Sequence, residues 1–102
     1  MEYICNITFV SGEAVAPHAL DFLRDTFMPA INISPASSPR LTRVRQNTGE
    51  AVSHALEIKL PSFRELKNWR ESTLGPALDS LSLRWGESLM YFETILEVIP
   101  AT

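Results

Sequence analysis

Alternating apolar and polar positions mark four strands in this chain. They cover residues 2–10, 40–47, 51–60 and 88–98. β-branched and aromatic residues dominate the first run, which is typical of strands, and residues 51–60 show the most regular alternation. The last run is apolar at both parities, which indicates a strand that is covered on both faces.

Apolar residues recur at helical spacing between the strands, over residues 14–28 and again from residue 62 to residue 85. Prolines interrupt both segments. Pro29 is expected to end or kink the first helix near Met28, and residues 73–76 are expected to break the second. The predicted buried positions are Ala16, Leu20, Leu23, Phe27 and Ile31 in the first helix and Phe63, Leu66, Trp69, Leu78, Leu81 and Trp85 in the second.

The elements follow one another as strand, helix, strand, strand, helix, strand. This order predicts an α+β, ferredoxin-like βαββαβ domain with a four-stranded antiparallel sheet, in which the first and third strands are central. The length of 102 residues suits a single domain over residues 1–102. Residues 47–50 are typical of a hairpin turn. Three arginines, Arg40, Arg43 and Arg45, are typical of an edge strand, and capture of a phosphate or carboxylate is the alternative.

Two helices can cover only one face of such a sheet. The strand parities predict that the helices contact Tyr3, Cys5, Ile7, Phe9, Val52, His54, Leu56, Ile58, Phe92, Leu96 and Val98. The other face is expected to display Ile4, Asn6, Thr8, Val10, Leu41, Arg43, Ser53, Ala55, Glu57, Leu89, Tyr91, Glu93 and Ile95. That face is too apolar in patches for open water. Its simplest cover is the same face of a second subunit, which would close a dimeric α/β barrel.

Composition and charge narrow the possible partners. Hydrophobic residues make up 45% of the chain and charged residues 21%, as in ordinary soluble globular proteins. A net charge of −3 without a clustered basic surface argues against nucleic acid. The chain has no signal-peptide pattern and no apolar run of membrane length, so we expect a cytoplasmic protein without membrane contact. A single cysteine and two widely spaced histidines form no disulfide and no metal motif, and we expect no cofactor.

Short motifs along the chain resemble a small uncharacterised bacterial family, domain of unknown function 4286. Residues 91–99 and the preceding Arg84-Trp85-Gly86 resemble the last strand of that family and the turn before it. Asn6-Ile7-Thr8 resembles the family's opening Asn-Val-Thr. The resemblance implies a dimeric α/β-barrel fold in a bacterial protein, and it implies no activity.

The chain departs from this family at polar positions. Phe27, Glu57 and Glu93 stand where the family has histidine, glutamine and arginine. If those polar groups form a site in the family, the site is altered in this chain.

Glu57 and Glu93 are the first candidates for chemistry, because both are predicted on the open face. Asn6, Arg43 and Tyr91 are expected beside them. Two carboxylates in a semi-enclosed cavity can have separate pKa values and serve as acid and base. The same group of residues could instead bind a small polar ligand or line the dimer interface.

Both glutamates and the histidine also have purely structural interpretations. Glu57 and Glu93 are candidates for ion pairs with Arg43, Arg45 or Lys59 that only hold the dimer together. His54 lies on the apolar parity of its strand and is expected to be buried and neutral. An acid–base role for His54 is the alternative, since the pKa of histidine lies near neutrality.

Two classes of function follow from the sequence. The first is a non-enzymatic homodimer with a structural, regulatory or small-ligand-binding role, which predicts a filled or ion-paired barrel face. The second is a small cofactor-independent enzyme resembling the dimeric-barrel monooxygenases or isomerases. It predicts an open cavity where two or more unpaired polar side chains converge. The fold alone does not choose between them.

Overall fold

Four strands form one antiparallel sheet in the computed structural model of the chain, which describes residues 1–45, 49 and 51–101. The strands are β1 (Tyr3–Gly12), β2 (Arg40–Arg43), β3 (Ala51–Leu60) and β4 (Leu89–Glu97). Their order across the sheet is β2-β3-β1-β4. The predicted ferredoxin-like α+β class is confirmed, with β1 and β3 central and β2 at an edge. The predicted turn at residues 47–50 lies outside the described residues, apart from Gly49.

Two helices, α1 and α2, cover one face of the sheet, which we call the helix side; the other face is the open face. Helix α1 consists of an α-helical segment Ala16–Phe22, a π-helical turn Leu23–Phe27 and a last α-helical turn Met28–Ile31. Helix α2 consists of the segments Phe63–Trp69 and Gly75–Trp85 around a π-helical turn Arg70–Leu74. Helix α1 connects β1 to β2, and helix α2 connects β3 to β4.

Both helices continue through their prolines, so the expected end of the first helix near Met28 and the expected break at residues 73–76 are wrong. Each π turn closes at the residue before a proline. The N–H of Met28 donates to the carbonyl of Leu23, and the N–H of Gly75 donates to that of Arg70, five residues back rather than four. In an ordinary α-helix a proline ring collides with the carbonyl four residues earlier. The wider turn moves that carbonyl aside, so the helix can continue past the proline.

The extra residue in a π turn also shifts the buried stripe of α2. Trp69 and Leu74 are five residues apart, yet only 2% and 1% of their surfaces are exposed. The sequence pattern predicts Leu74 in a helix break rather than in the core. Phe63, predicted to be buried, is 58% exposed, and its ring centroid lies 5.6 Å from that of Tyr3.

The core lies between the helices and the helix side of the sheet. Its fully buried side chains include Cys5, Ile7, Phe9, Leu56, Ile58 and Leu60 from the strands and Leu23, Ile31, Leu66, Leu74 and Leu81 from the helices. The predicted helix-side parity of β1 and β3 is therefore confirmed. The indole Nε1 of Trp69 donates to the carbonyl of Ile31 at 3.1 Å, which joins α2 to the end of α1.

Replacing Gly86 by alanine is expected to lower the free energy of unfolding by about 1–2 kcal/mol. Gly86 ends α2 with φ 54° and ψ −132°, a backbone region that residues with a Cβ rarely adopt. An added Cβ would meet no atom within 4 Å, so the loss would come from the backbone alone. Urea unfolding measures it. Gly12→Ala is the matched control, because that site is equally open and its φ is not positive. Equal stability of the two variants would contradict the prediction.

Candidate functional site

One face of strand β4 is assigned by the sequence to the open side. In the structure this face points toward the helices. The register of β4 pairs Tyr91 with Phe9 and Glu93 with Ile7. Directly paired residues of neighbouring strands share a face. The helix side of β4 therefore carries Leu89, Tyr91, Glu93 and Ile95, and its open face carries Met90, Phe92, Thr94 and Leu96. The predicted face assignment of β4 is wrong, because both of its parities are apolar enough to be buried.

The five candidate ligand or interface residues consequently do not share one face. Asn6 and Glu57 pair across β1 and β3 on the open face. Arg43 pairs with His54, which places it on the helix side rather than on the predicted open face. Tyr91 and Glu93 also lie on the helix side. The predicted common cavity of Glu57, Tyr91 and Glu93 is therefore not formed.

Glu93 forms a bidentate ion pair with Arg70 of α2. The Nε and Nη2 groups of Arg70 donate to the two carboxylate oxygens, each at 2.7 Å. The hydrogen bonds from Arg70 hold the pKa of Glu93 below its ordinary value, against the opposing effect of burial. The predicted partners Arg43, Arg45 and Lys59 are wrong for Glu93. The pair fastens α2 to β4.

The thiol of Cys5 belongs to the same cluster. Its Sγ–H donates to a carboxylate oxygen of Glu93 at 3.4 Å, and the side chain is fully buried. Burial, reinforced by the charge of Glu93, raises the pKa of the Cys5 thiol far above its ordinary value. The thiolate is the nucleophilic form of cysteine. Burial therefore keeps Cys5 in the weakly nucleophilic thiol form.

Glu57 lies on the open face and pairs with Arg40. The Nη2 group of Arg40 donates to Glu57 at 2.7 Å, while 72% of the arginine side chain is exposed. The two residues and Asn6 line a shallow depression of about 220 Å³. An exposed pair of this kind contributes about 0–1 kcal/mol. The prediction of an ion-paired carboxylate is right for Glu57, but its partner is none of those predicted.

An apolar strip runs along β4 on the open face. Met90, Phe92 and Leu96 are 64%, 57% and 43% exposed. Val10 and Ile4 of β1 lie directly beside the two ends of the strip, paired with Met90 and Leu96. Contiguous apolar surface on this scale is typical of interaction sites. We call Met90, Phe92 and Leu96 the β4 strip.

A cleft of about 550 Å³ opens on the helix side, between the start of α1 and the edge formed by β2 and β3. We call it the α1 cleft; its lining includes Glu13, Pro17, Leu20, Arg43, Arg45 and His54. A smaller hollow of about 300 Å³ beside it shares the last four of these residues. The volume lies within the range of roughly 300–1,000 Å³ that is typical of small-molecule sites.

His54 lines the α1 cleft and is 4% exposed, so it is buried as predicted. Its Nε2 atom is buried and has no hydrogen-bond partner among the described residues. Burial, and then the positive charge of Arg43, lower the pKa of the imidazole. The ring is therefore neutral at pH 7. The acid–base role of His54 stays a prediction.

Two features of the site escape sequence analysis. Leu20 carries a helical spacing typical of the core, yet it is half-buried and lines the α1 cleft instead. Arg70 is the second. It follows Trp69 directly on α2, and its position next to the buried stripe is the only sequence signal that it could reach a carboxylate on the sheet.

Neither a cluster of metal-binding side chains nor a membrane-spanning helix is found in the described part of the chain. No three histidine, cysteine, aspartate or glutamate side chains there are grouped as a metal site requires. Neither α1 nor α2, the helices of residues 1–45 and 51–101, is long and apolar enough to traverse a bilayer.

Comparisons with known proteins support the fold. No protein-family model and no curated protein matches the chain. Rv0793 from Mycobacterium tuberculosis superposes with a TM-score of 0.65, covering 98% of this chain and 99% of its own, at 19% sequence identity. The de novo designed protein Foldit4 superposes with a TM-score of 0.61, covering 97% of this chain and 100% of its own, at 8% identity.

The described residues define a small ferredoxin-like α+β domain with an open sheet face and a cleft on its helix side. At identities of 19% and 8%, the structural likeness establishes the fold and carries no information about activity. The resemblance to domain of unknown function 4286 stays a prediction.

Proposed function

We propose that the protein acts as a non-enzymatic homodimer, joined through the open faces of its two sheets into a dimeric α/β barrel, and that it binds a small ligand. The observation that carries the dimer is the exposure of the β4 strip. Its side chains, Met90, Phe92 and Leu96, lie uncovered by any described element of the chain. Burial of apolar surface contributes about 25 cal/mol of free energy per Å². A partner that covers this face is therefore favoured.

The size of the open face suits a stable dimer. Three strands of nine or ten residues and the four-residue β2, about 4.8 Å apart, give a sheet face of roughly 500 Å² in projection. Standard interfaces bury about 800 Å² of accessible surface on each partner. A two-fold axis would place identical faces against each other, which is the common arrangement of homodimers.

The strands place three charged residues on the open face, Arg40, Glu57 and Lys59, and Lys59 lies near the end of β3. Arg40 and Glu57 already neutralise each other at 2.7 Å. Buried ions are tolerated when they are paired and hydrogen-bonded. In the proposed dimer, the depression lined by Asn6 and Glu57 would become part of the barrel interior, which is the ligand or interface role predicted for these two residues.

Phe92→Glu is expected to convert the dimer into a folded monomer. A carboxylate in the middle of an apolar interface would lose its hydration without gaining a partner. Size-exclusion chromatography with light scattering at micromolar concentration should give the mass of two 11.4 kDa chains for the wild type and of one for the variant. Because Phe92 is 57% exposed in the single chain, the variant should keep its helical circular dichroism spectrum.

Leu83→Glu is the matched control for this experiment. Leu83 is an apolar residue that is 89% exposed, but it lies on α2, away from the open face. This variant should remain a dimer. A wild-type mass of one chain, or a dimeric Phe92→Glu variant, would contradict the proposed assembly.

The α1 cleft favours a second candidate function, a small cofactor-independent enzyme. Three polar side chains, Arg43, Arg45 and His54, converge there without an ion-pair or side-chain hydrogen-bond partner among the described residues. A neutral histidine beside an arginine could remove a proton and stabilise the resulting anion. The non-enzymatic function is preferred because the Nε2 atom of His54 is buried, whereas a general base must reach the proton of its substrate.

A further inference from the structure

The α1 cleft combines positive charge with an apolar wall. Arg43 and Arg45 contribute two positive charges and Glu13 one negative charge to its lining. Arg40 and Arg70, in contrast, are each bound to a glutamate at 2.7 Å. Among the described residues, neither cleft arginine has such a carboxylate partner. The guanidinium group presents parallel N–H donors that match a carboxylate.

The wall opposite the arginines is apolar. Pro17 and Leu20 form it on α1, Val52 extends it on β3, and Val44 extends it directly after β2. An ion without an apolar body would leave this wall in contact with water. The cleft therefore suits a molecule that has both an anionic group and a hydrocarbon part.

His54 also lines the cleft. Its side chain is more than nine-tenths buried and its Nε2 atom is buried, so the imidazole contributes to the wall of the cleft and does not offer a hydrogen bond to a ligand.

We infer that the α1 cleft binds a small organic carboxylate, with its anionic group on Arg43 and Arg45 and its hydrocarbon part against Pro17 and Leu20. Arg43, Arg45 and Glu13 give the lining a net charge of +1, which a monoanion neutralises. This inference rests on the ligand-binding part of the proposed function and not on the dimer, since the cleft is built within one chain.

The structural explanation of the arginines is that they only discourage edge-to-edge pairing of β2. Charged residues on edge strands commonly have that role. It accounts for the exposed position of Arg43 and Arg45, but it does not require the apolar wall. It also predicts no binding of a carboxylate at this place, so the two explanations can be separated by titration.

The test uses phenylacetate as the probe, with phenylacetamide as its neutral counterpart and inorganic phosphate as an anion without an apolar body. Each is titrated into the ¹⁵N-labelled full chain. Phenylacetate should shift the backbone amide signals of residues 18–20 and 52–54 at millimolar concentration. The amide and the phosphate should each bind about tenfold more weakly, because each lacks one half of the interaction. Equal shifts with all three probes, or no shifts at the cleft, would overturn the inference.

Variants locate the binding. Arg43→Gln should weaken phenylacetate binding about tenfold, since it removes a charge-assisted hydrogen bond. Arg64→Gln, a matched change at an exposed arginine on α2, should leave binding unchanged. The same affinity in both variants would contradict the assigned site.

The dimer is tested separately. Phe92→Glu should keep the affinity for phenylacetate, because residue 92 lies on the opposite face of the sheet. Retained binding in a wild-type protein that proves monomeric would overturn the dimer alone. Loss of binding in Phe92→Glu would contradict a site within one chain.

Discussion

Replacing Trp69 by alanine should destabilise the protein by about 3–5 kcal/mol, which is a large part of the 5–15 kcal/mol typical of a domain. Trp69 is 2% exposed and lies in the core directly before the π turn of α2. Its removal leaves a cavity between the two helices and the sheet. It also removes the hydrogen bond from Nε1 to the carbonyl of Ile31, at 3.1 Å.

Phenylalanine variants of the two tryptophans separate packing from hydrogen bonding. Trp69→Phe keeps much of the ring volume and should cost about 1–2 kcal/mol. The loss is limited because the carbonyl of Ile31 also accepts from the N–H of Ile33 at 2.9 Å. Trp85→Phe is the matched control. The Nε1 of Trp85 is buried without a partner among the described residues, so its removal should be nearly neutral.

Urea unfolding, followed by circular dichroism at one protein concentration, measures these effects. The concentration must be fixed because the stability of a dimer depends on it. The remaining tryptophan in each variant provides a second, fluorescent signal. If Trp85→Phe destabilised the protein as much as Trp69→Phe, the assigned role of the Trp69 hydrogen bond would be wrong.

Arg70→Ala should destabilise the protein by about 2 kcal/mol at pH 7. Breaking a buried ion pair typically costs 3–5 kcal/mol, and partial exposure lowers this figure. The side chain of Glu93 is 17% exposed and that of Arg70 is 44% exposed. The variant leaves the Glu93 carboxylate in mostly apolar surroundings, with only the weak Cys5 thiol as a donor. Arg24→Ala is the control, because its pair with Asp21 is more than half exposed at both ends. It should cost less than 1 kcal/mol.

The effect of Arg70→Ala should depend on pH. The pKa of Glu93 is lower in the folded protein than its ordinary value of about 4.3. A carboxyl group of this kind stabilises the fold fully above its unfolded pKa, and the contribution disappears as the pH falls through the folded pKa. The stability difference between wild type and Arg70→Ala should therefore be largest near neutral pH and shrink below about pH 4. A difference that stayed constant from pH 7 to pH 3 would contradict the role of the ion pair.

Much of the fold is predictable because local signals agree with it. The alternation of β1 and β3 has one clearly apolar parity, and that parity is the buried one. The arginines of β2 correctly indicate an edge strand. The prolines, in contrast, mislead. A π turn before each of them keeps the helix continuous, and this depends on the packing of the helix against the sheet rather than on local preference.

The site is less predictable for a related reason. The faces of β4 depend on its register with β1, and a shift by one residue exchanges all its side chains between the two faces. The pairing of Ile7 with Glu93 is set by the whole sheet, and the sequence pattern of β4 cannot supply it. Hence Glu93, predicted on the open face, meets Arg70 on the helix side.

The sequence by itself determined the class of the fold, the order of its elements, the central place of β1 and β3 and the burial of Cys5 and His54. Periodicity is a local property, and it suffices wherever one face of an element is distinctly apolar. Only the tertiary structure decided that Phe92 lies on the open face, that Glu93 pairs with Arg70, and that Arg43 joins His54 at the α1 cleft. These contacts join residues from different elements, so they exist only after strand register and helix packing have been established.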